Sequence, residues 1–399
     1  MKIFNKIQDF TFANEMRTAG LYPYFNPRTD HNIDKVHKDI LLDSNNYLGL
    51  ANHPEVVKNS MQAIQEDGSS CTGSRFLNGT LHSHLALEKA LASFFNVQDV
   101  QTFTTGYQAN VGVLSALAGK GDFLVLDKEA HASIIDGAML AMAKGAQILR
   151  FKHNDIAHLR KVLSKVPKEA GCIVVVDGVY SMSGELVKLP EISQLCKAQG
   201  ACLIVDDAHG VGVFGKQGRG TVNHFELEDQ VDLITGTFSK SFASVGGFVA
   251  GKSAVIDYIR HHARALLFSA SMPPNSVAAA HTSLQIMLNE PQRMVRLQQN
   301  ADYMRQGLAA LGFDIGQSVS PIIPIFIRNE VQTFIIWKKL KEQGIYTNPV
   351  VPPGVTSRDC MLRTSYMASH TIEELNRALR IFAKVGLELG LIQKQKAVA

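Results

Sequence analysis

A lysine at the end of an apolar run is the first candidate for chemistry. Lys240 closes Thr235-Gly-Thr-Phe-Ser-Lys240, directly after Leu233-Ile234. A charged ammonium beside a core is costly. Burial favours the neutral amine, the nucleophile that attacks a carbonyl to form an imine. Thr237 and Ser239 place two hydroxyls close by, a pairing suited to phosphate. A surface lysine that extends its head into water is the competing explanation.

Other polar groups follow apolar runs in the same way. Asp206 ends Leu203-Ile-Val205, with His209 three residues on. A carboxylate there can keep a pyridine nitrogen protonated, which makes the ring an electron sink; an aspartate in a turn is the plain alternative. Asp177 to Ser181 forms a second such cluster after CIVVV. Thr104-Thr-Gly-Tyr-Gln108 precedes the helical run ANVGVLSALAG, and amides at a helix start bind phosphate. His131 follows FLVLD and can stack on a flat aromatic ring, although a lone histidine is commonly structural.

These residues need a scaffold that brings strand ends together. Strands are expected at 100–105, 123–127, 147–151, 172–179, 202–208, 232–238 and 246–251. Most are apolar throughout, as strands covered on both faces are. Helical segments such as 190–200 separate them, so the pattern predicts an α/β doubly wound sheet with ligands at the strand carboxyl ends. From about residue 286 the order changes. A helical stretch at 289–312 is followed by a strand at 322–327, a helix at 334–344 and a strand at 361–367. A last helix begins after Thr371. The expected division is an arm over 1–45, a large domain over 46–285 and a small α+β domain over 286–399. Gly210-Val-Gly-Val-Phe-Gly215 fits a dinucleotide fingerprint but runs on into loop residues, and Asp206 and Asp207 would repel a pyrophosphate, so it is rejected.

Composition narrows the class. Of 399 residues, 40 are basic and 36 acidic, too small an excess to indicate nucleic acid. The five cysteines have no Cys-x-x-Cys spacing, so neither a disulfide framework nor a metal site is suggested. The start carries charges and lacks an apolar signal core, so a cytoplasmic protein is expected.

GSRFLNGT (73–80), DKEAHASIIDG (127–137), DGVYSMSGE (177–185), VDDAHGVG (205–212), GTFSKSFASVGGF (236–248), FSASMPP (268–274) and MLRTSYMASHT (361–371) resemble the α-oxoamine synthase family in the same order. The resemblance implies a fold-type I, aspartate aminotransferase-like α/β enzyme with a mostly parallel central sheet and a small C-terminal domain. It implies pyridoxal 5′-phosphate (PLP) as cofactor. Lys240 resembles the imine lysine and the base, Asp206 the pyridinium partner, and His209, with Ser181 nearby, the group beside the ring hydroxyl. His131 resembles the stacking histidine. Gly106 and Tyr107 match backbone phosphate donors, and Thr237 and Ser239 hydroxyl ones. Asp177 stands where several relatives carry glutamate. Arg363 and Asn46 resemble substrate-side residues.

Family members are homodimers, and the resemblance implies that Ser269 and Ser271 reach the partner's phosphate. GTFSKSFASVGGF and NPVVPP (348–353) resemble the branch that condenses L-serine with a long-chain acyl-CoA. Sister reactions use glycine with acetyl-CoA or alanine with a pimeloyl thioester. A non-catalytic partner subunit would be expected to lack Lys240. A lipidic product would make peripheral membrane contact an expectation.

Overall fold

The computed structural model describes residues 2–27 and 39–393. Residues 28–38 of the expected arm lie outside them. The strands are β1 (Ile40–Leu41), β2 (Asp99–Phe103), β3 (Phe123–Asp127), β4 (Gln147–Phe151), β5 (Cys172–Asp177), β6 (Cys202–Asp206), β7 (Leu233–Thr237), β8 (Gly247–Gly251), β9 (Ile322–Phe326), β10 (Ile345–Tyr346), β11 (Asn348–Val350) and β12 (Met361–Ser365).

Seven of them form one sheet in the order β2-β8-β7-β6-β5-β3-β4. The pairings from β7 to β4 are parallel, and β8 runs antiparallel to both its neighbours. Parallel neighbours need long crossovers. The helices Ala132–Ala143, Ile156–Leu163 and Leu189–Gln199 supply them. Alternate residues of the unbroken apolar runs enter different cores. Val125, Val174, Val176 and Val205 join one, while Leu124, Leu126, Val175 and Ile204 join the other. Side chains on a strand alternate between faces, so a strand covered on both sides must be apolar at every position.

The second lobe is an antiparallel sheet, β11-β12-β9, beside the parallel pair β1-β10. Its core includes Ile323, Leu340, Leu362 and Phe382, and it also takes Ile40 and Leu42 from the arm. Thr371 and Glu374 form a reciprocal capping box at the start of Ile372–Glu388, where the sequence places a helix start. The helix Pro274–Asn289 runs across the expected boundary at 285/286. Strand ends fall short of their expected limits where polar loops begin. β5 stops at Asp177, β6 at Asp206 and β7 at Thr237.

Gly210–Gly215 lies in a tight loop, with an isolated bridge between Val211 and Arg219, and no long helix follows it. A Cβ on Gly210 would sit 1.9 Å from Asp207 Oδ1, and one on Gly220 would sit 2.0 Å from Asp207 Oδ2. Asp207 accepts from Thr221 N–H at 2.6 Å and from its hydroxyl at 2.8 Å. The glycines make room for a buried structural carboxylate. Among the described residues, no helix is long and apolar enough to cross a membrane.

Candidate active site

Parallel register sets two carboxylates side by side. Asp177 and Asp206 are direct partners at the ends of β5 and β6. Both are buried. Asp206 Oδ2 accepts from Asn110 Nδ2 at 2.6 Å, and Asn110 Oδ1 accepts from the Thr235 hydroxyl at 2.7 Å. Asn110 lies within the apolar helix Gly106–Leu117. A single amide on a buried helix face was the signal for it in the sequence. Asp177 Oδ2 accepts the His131 N–H at 3.1 Å. Burial pushes the Asp177 carboxyl well up, and the charge of Asp206 adds to that.

Lys240 follows the next strand in the sheet, β7. Burial pulls its ammonium down to about 8, against the attraction of Asp206. Thr237 Oγ1 lies 2.9 Å from Ser239 Oγ and donates to Gly246 O at 3.0 Å. Gly106, the first residue of its helix, packs so closely on Thr237 that a Cβ would lie 2.7 Å from Thr237 Cβ. The first amides of a helix have no acceptor within it. Here Thr105 Oγ1 takes the Gln108 N–H at 3.1 Å. The Gly106 end is thus a cradle of amides beside two hydroxyls. Tyr107 is exposed and bonds Asp136 through its hydroxyl.

His131 has a structural part too. It caps the helix Ala132–Ala143, its Nδ1 accepting from Ser133 N–H at 3.3 Å. His209 is buried, with Nδ1 2.7 Å from the Tyr47 hydroxyl. Burial, then the charges of Lys240 and Arg363, push its pKa well down, so the imidazole is neutral.

Arg363, on β12, reaches from the small lobe to the large one. Nε donates to Ser181 O at 2.6 Å, Nη1 to Ser365 Oγ at 2.8 Å and Nη2 to Asn45 Oδ1 at 3.0 Å. Ser181 therefore contributes its carbonyl to this contact. Asn46, expected on the substrate side, is buried. Its Oδ1 holds a turn by accepting from Leu50 N–H at 3.0 Å and Ala51 N–H at 3.3 Å. Asn45, its neighbour in the sequence, is the asparagine that faces the arginine.

Ser269 and Ser271 contact their own chain. Ser269 Oγ accepts from Gln108 Nε2 at 3.0 Å, and Ser271 Oγ donates to Gly73 O at 3.1 Å. Arg75 anchors that loop. It pairs with both oxygens of Glu88, at 2.7 and 3.0 Å, and with Thr102 Oγ1 at 2.7 Å. Arg75 was visible in the sequence only as part of GSRFLNGT.

A family model described as aminotransferase class I and II matches residues 37–382. The chain belongs to that family. A serine palmitoyltransferase of Sphingobacterium spiritivorum is 44% identical over 395 residues, spanning 97% of this chain and 98% of that protein. An 8-amino-7-oxononanoate synthase of Treponema denticola is 40% identical over 397 residues, spanning 97% of this chain and all of that one (100%). A solved structure described as SPT with PLP internal aldimine matches with a TM-score of 0.93 at 35% identity, covering 98% of this chain and 99% of that one. The residues present fit PLP. They offer a buried carboxylate for a ring nitrogen, an amine of lowered basicity, and an amide-and-hydroxyl cradle for a phosphate.

Proposed function

We propose that this chain is a PLP-dependent acyltransferase that condenses L-serine with a long-chain acyl-CoA such as palmitoyl-CoA, releasing CoA and carbon dioxide and giving a 3-ketosphinganine-type product. One observation carries the reading. Lys240, lowered to about 8, stands among Asp206, Asp177 and Arg363, in a chain that matches serine palmitoyltransferases over almost its full length. When bound, PLP supplies a ring that draws negative charge away from the amino acid's Cα.

The chain's own residues do the rest. Asp206, fixed by Asn110, is placed to hold a proton on the ring nitrogen. The Gly106 and Tyr107 amides, with Thr237 and Ser239, are placed for the phosphate. The Lys240 amine, partly neutral near neutral pH, can take the proton at the serine Cα. Arg363 has further N–H donors beyond its three protein contacts and suits a carboxylate. With His131, it would orient the Cα–H bond across the ring plane.

The chain would work as a homodimer. Phe76, Leu77 and Phe268 are 55%, 77% and 73% exposed, and they flank the segments that hold Ser271 and Ser269. Exposed apolar groups next to these segments suit a subunit interface. A second reading, alanine with a pimeloyl thioester, is favoured by the similarity to an 8-amino-7-oxononanoate synthase.

Mass spectrometry of products from mixed serine, glycine and alanine with acyl-CoAs of graded length decides between them. The expected product is the long-chain keto base from serine. A product formed from alanine alone would overturn the assignment.

A further inference from the structure

One buried hydroxyl in the site has no part in the scheme above. Tyr47 is fully buried, and its backbone carbonyl accepts from Ala368 N–H at 2.8 Å. Its phenol oxygen lies 2.7 Å from His209 Nδ1 and 3.3 Å from Asn45 Oδ1. The two rings meet edge-on, with centroids 6.1 Å apart. We propose that Tyr47 is a positioning residue that fixes His209 in the tautomer protonated at Nε2, and so sets the hydrogen-bonding face His209 offers to bound PLP.

A neutral imidazole has one N–H and one bare nitrogen. Burial, and then the charges of Lys240 and Arg363, disfavour the doubly protonated ring. The phenol keeps its own proton, since burial pushes it up to about 12. That proton has two acceptors within reach. Asn45 Oδ1 is the more distant and already receives the Arg363 guanidinium at 3.0 Å. His209 Nδ1 is nearer, at 2.7 Å, and a phenol that donates its proton there requires Nδ1 to be bare. The imidazole proton is then left on Nε2. Tyr47 thus links the arginine side of the site, through Asn45, to the histidine side.

The proposal rests on the PLP reading, but its main test needs no cofactor. Protein labelled with nitrogen-15 histidine is freed of PLP, and long-range proton–nitrogen correlation spectra are recorded near neutral pH. His209→Gln identifies the His209 signals. The native chain is expected to show the Nε2–H pattern. Tyr47→Phe removes one oxygen and keeps the ring; it is expected to give a mixed tautomer pattern and to weaken PLP binding by about fivefold to tenfold, the worth of one ordinary hydrogen bond. An Nδ1–H pattern in the native chain overturns the proposal. So does an Nε2–H pattern that persists in Tyr47→Phe. Should that variant fail to fold, an Nδ1–H pattern in the native chain still overturns the proposal. Failure of the PLP reading would show separately, as native protein that retains no cofactor.

Discussion

His209 and His153 have the same side chain in two neighbouring parts of the molecule, and they end in opposite states. His209 is 8% exposed and is kept neutral by burial and by the charges of Lys240 and Arg363. His153, with its side chain 18% exposed, lies against Asp127 at the end of β3. Its Nδ1 is 3.0 Å from Asp127 Oδ1, and its Nε2 is 3.4 Å from Glu185 and 3.7 Å from Glu129. Burial opposes its proton as well, yet Asp127 and Glu185 outweigh that and raise its pKa to about 10. Desolvation pushes both rings the same way, so the sign of the nearby charges decides the outcome. One region holds a neutral ring where a proton position matters. The other holds a cation that neutralises Asp127, a carboxylate fully buried at the end of β3 that also accepts from Tyr180 at 2.9 Å.

The largest effect is expected beside His209, where the charges of Lys240 and Arg363 act. Lys240→Ala should lower turnover by about a thousandfold or more, because it removes both the carbonyl nucleophile and the base. Borohydride should then fail to attach PLP to the chain. The same variant should raise the pH at which His209 titrates, since one of the charges that depress it is gone; an unmoved nitrogen-15 titration would contradict the electrostatic account.

At the anionic side the expected loss is in stability. His153→Leu leaves Asp127 buried without its cation and should cost about 3 kcal/mol or more, read from urea melts. Turnover per folded molecule should change much less than with Lys240→Ala.

The pH dependences should differ in kind. The folded pKa of His153 is raised from 6.5 to about 10, so its contribution to stability is complete below 6.5 and is lost as pH climbs through 10. The melting temperature of the native chain should fall toward that of His153→Gln across this window. A constant gap would refute the ion pair. Lys240 behaves differently. Capture of PLP by the cofactor-free chain needs the neutral amine, so its rate should rise as pH passes about 8.

The smallest effect concerns Asn45. Asn45→Ala removes one acceptor from Arg363 and should raise the KM for serine about fivefold, with kcat little altered. Asn46→Ala should act on stability, through the turn at Leu50, and leave that KM nearly unchanged.

Much of the frame was legible because burial on both faces leaves a plain mark. Runs such as Cys172–Asp177 and Cys202–Asp206 are apolar until they meet an acid, and the acid marks the strand's carboxyl end. Lys240, Asp206 and His209 stood out for that reason. His153 did not, because nothing local distinguishes a histidine in a polar turn from one that lies against Asp127, 26 positions earlier in the chain. Tyr47 is likewise joined to its partner His209 across 162 positions.

Which residue types occupy the strand ends was therefore determined by the sequence itself, through the cost of placing a charge inside an apolar run. Which neighbour each one meets, and so which carries a proton, was decided only when the parallel register set Asp177 beside Asp206 and the small lobe delivered Arg363 to Asn45 and Ser181. Electrostatic energy depends on distance in space, and separation along a chain does not report it.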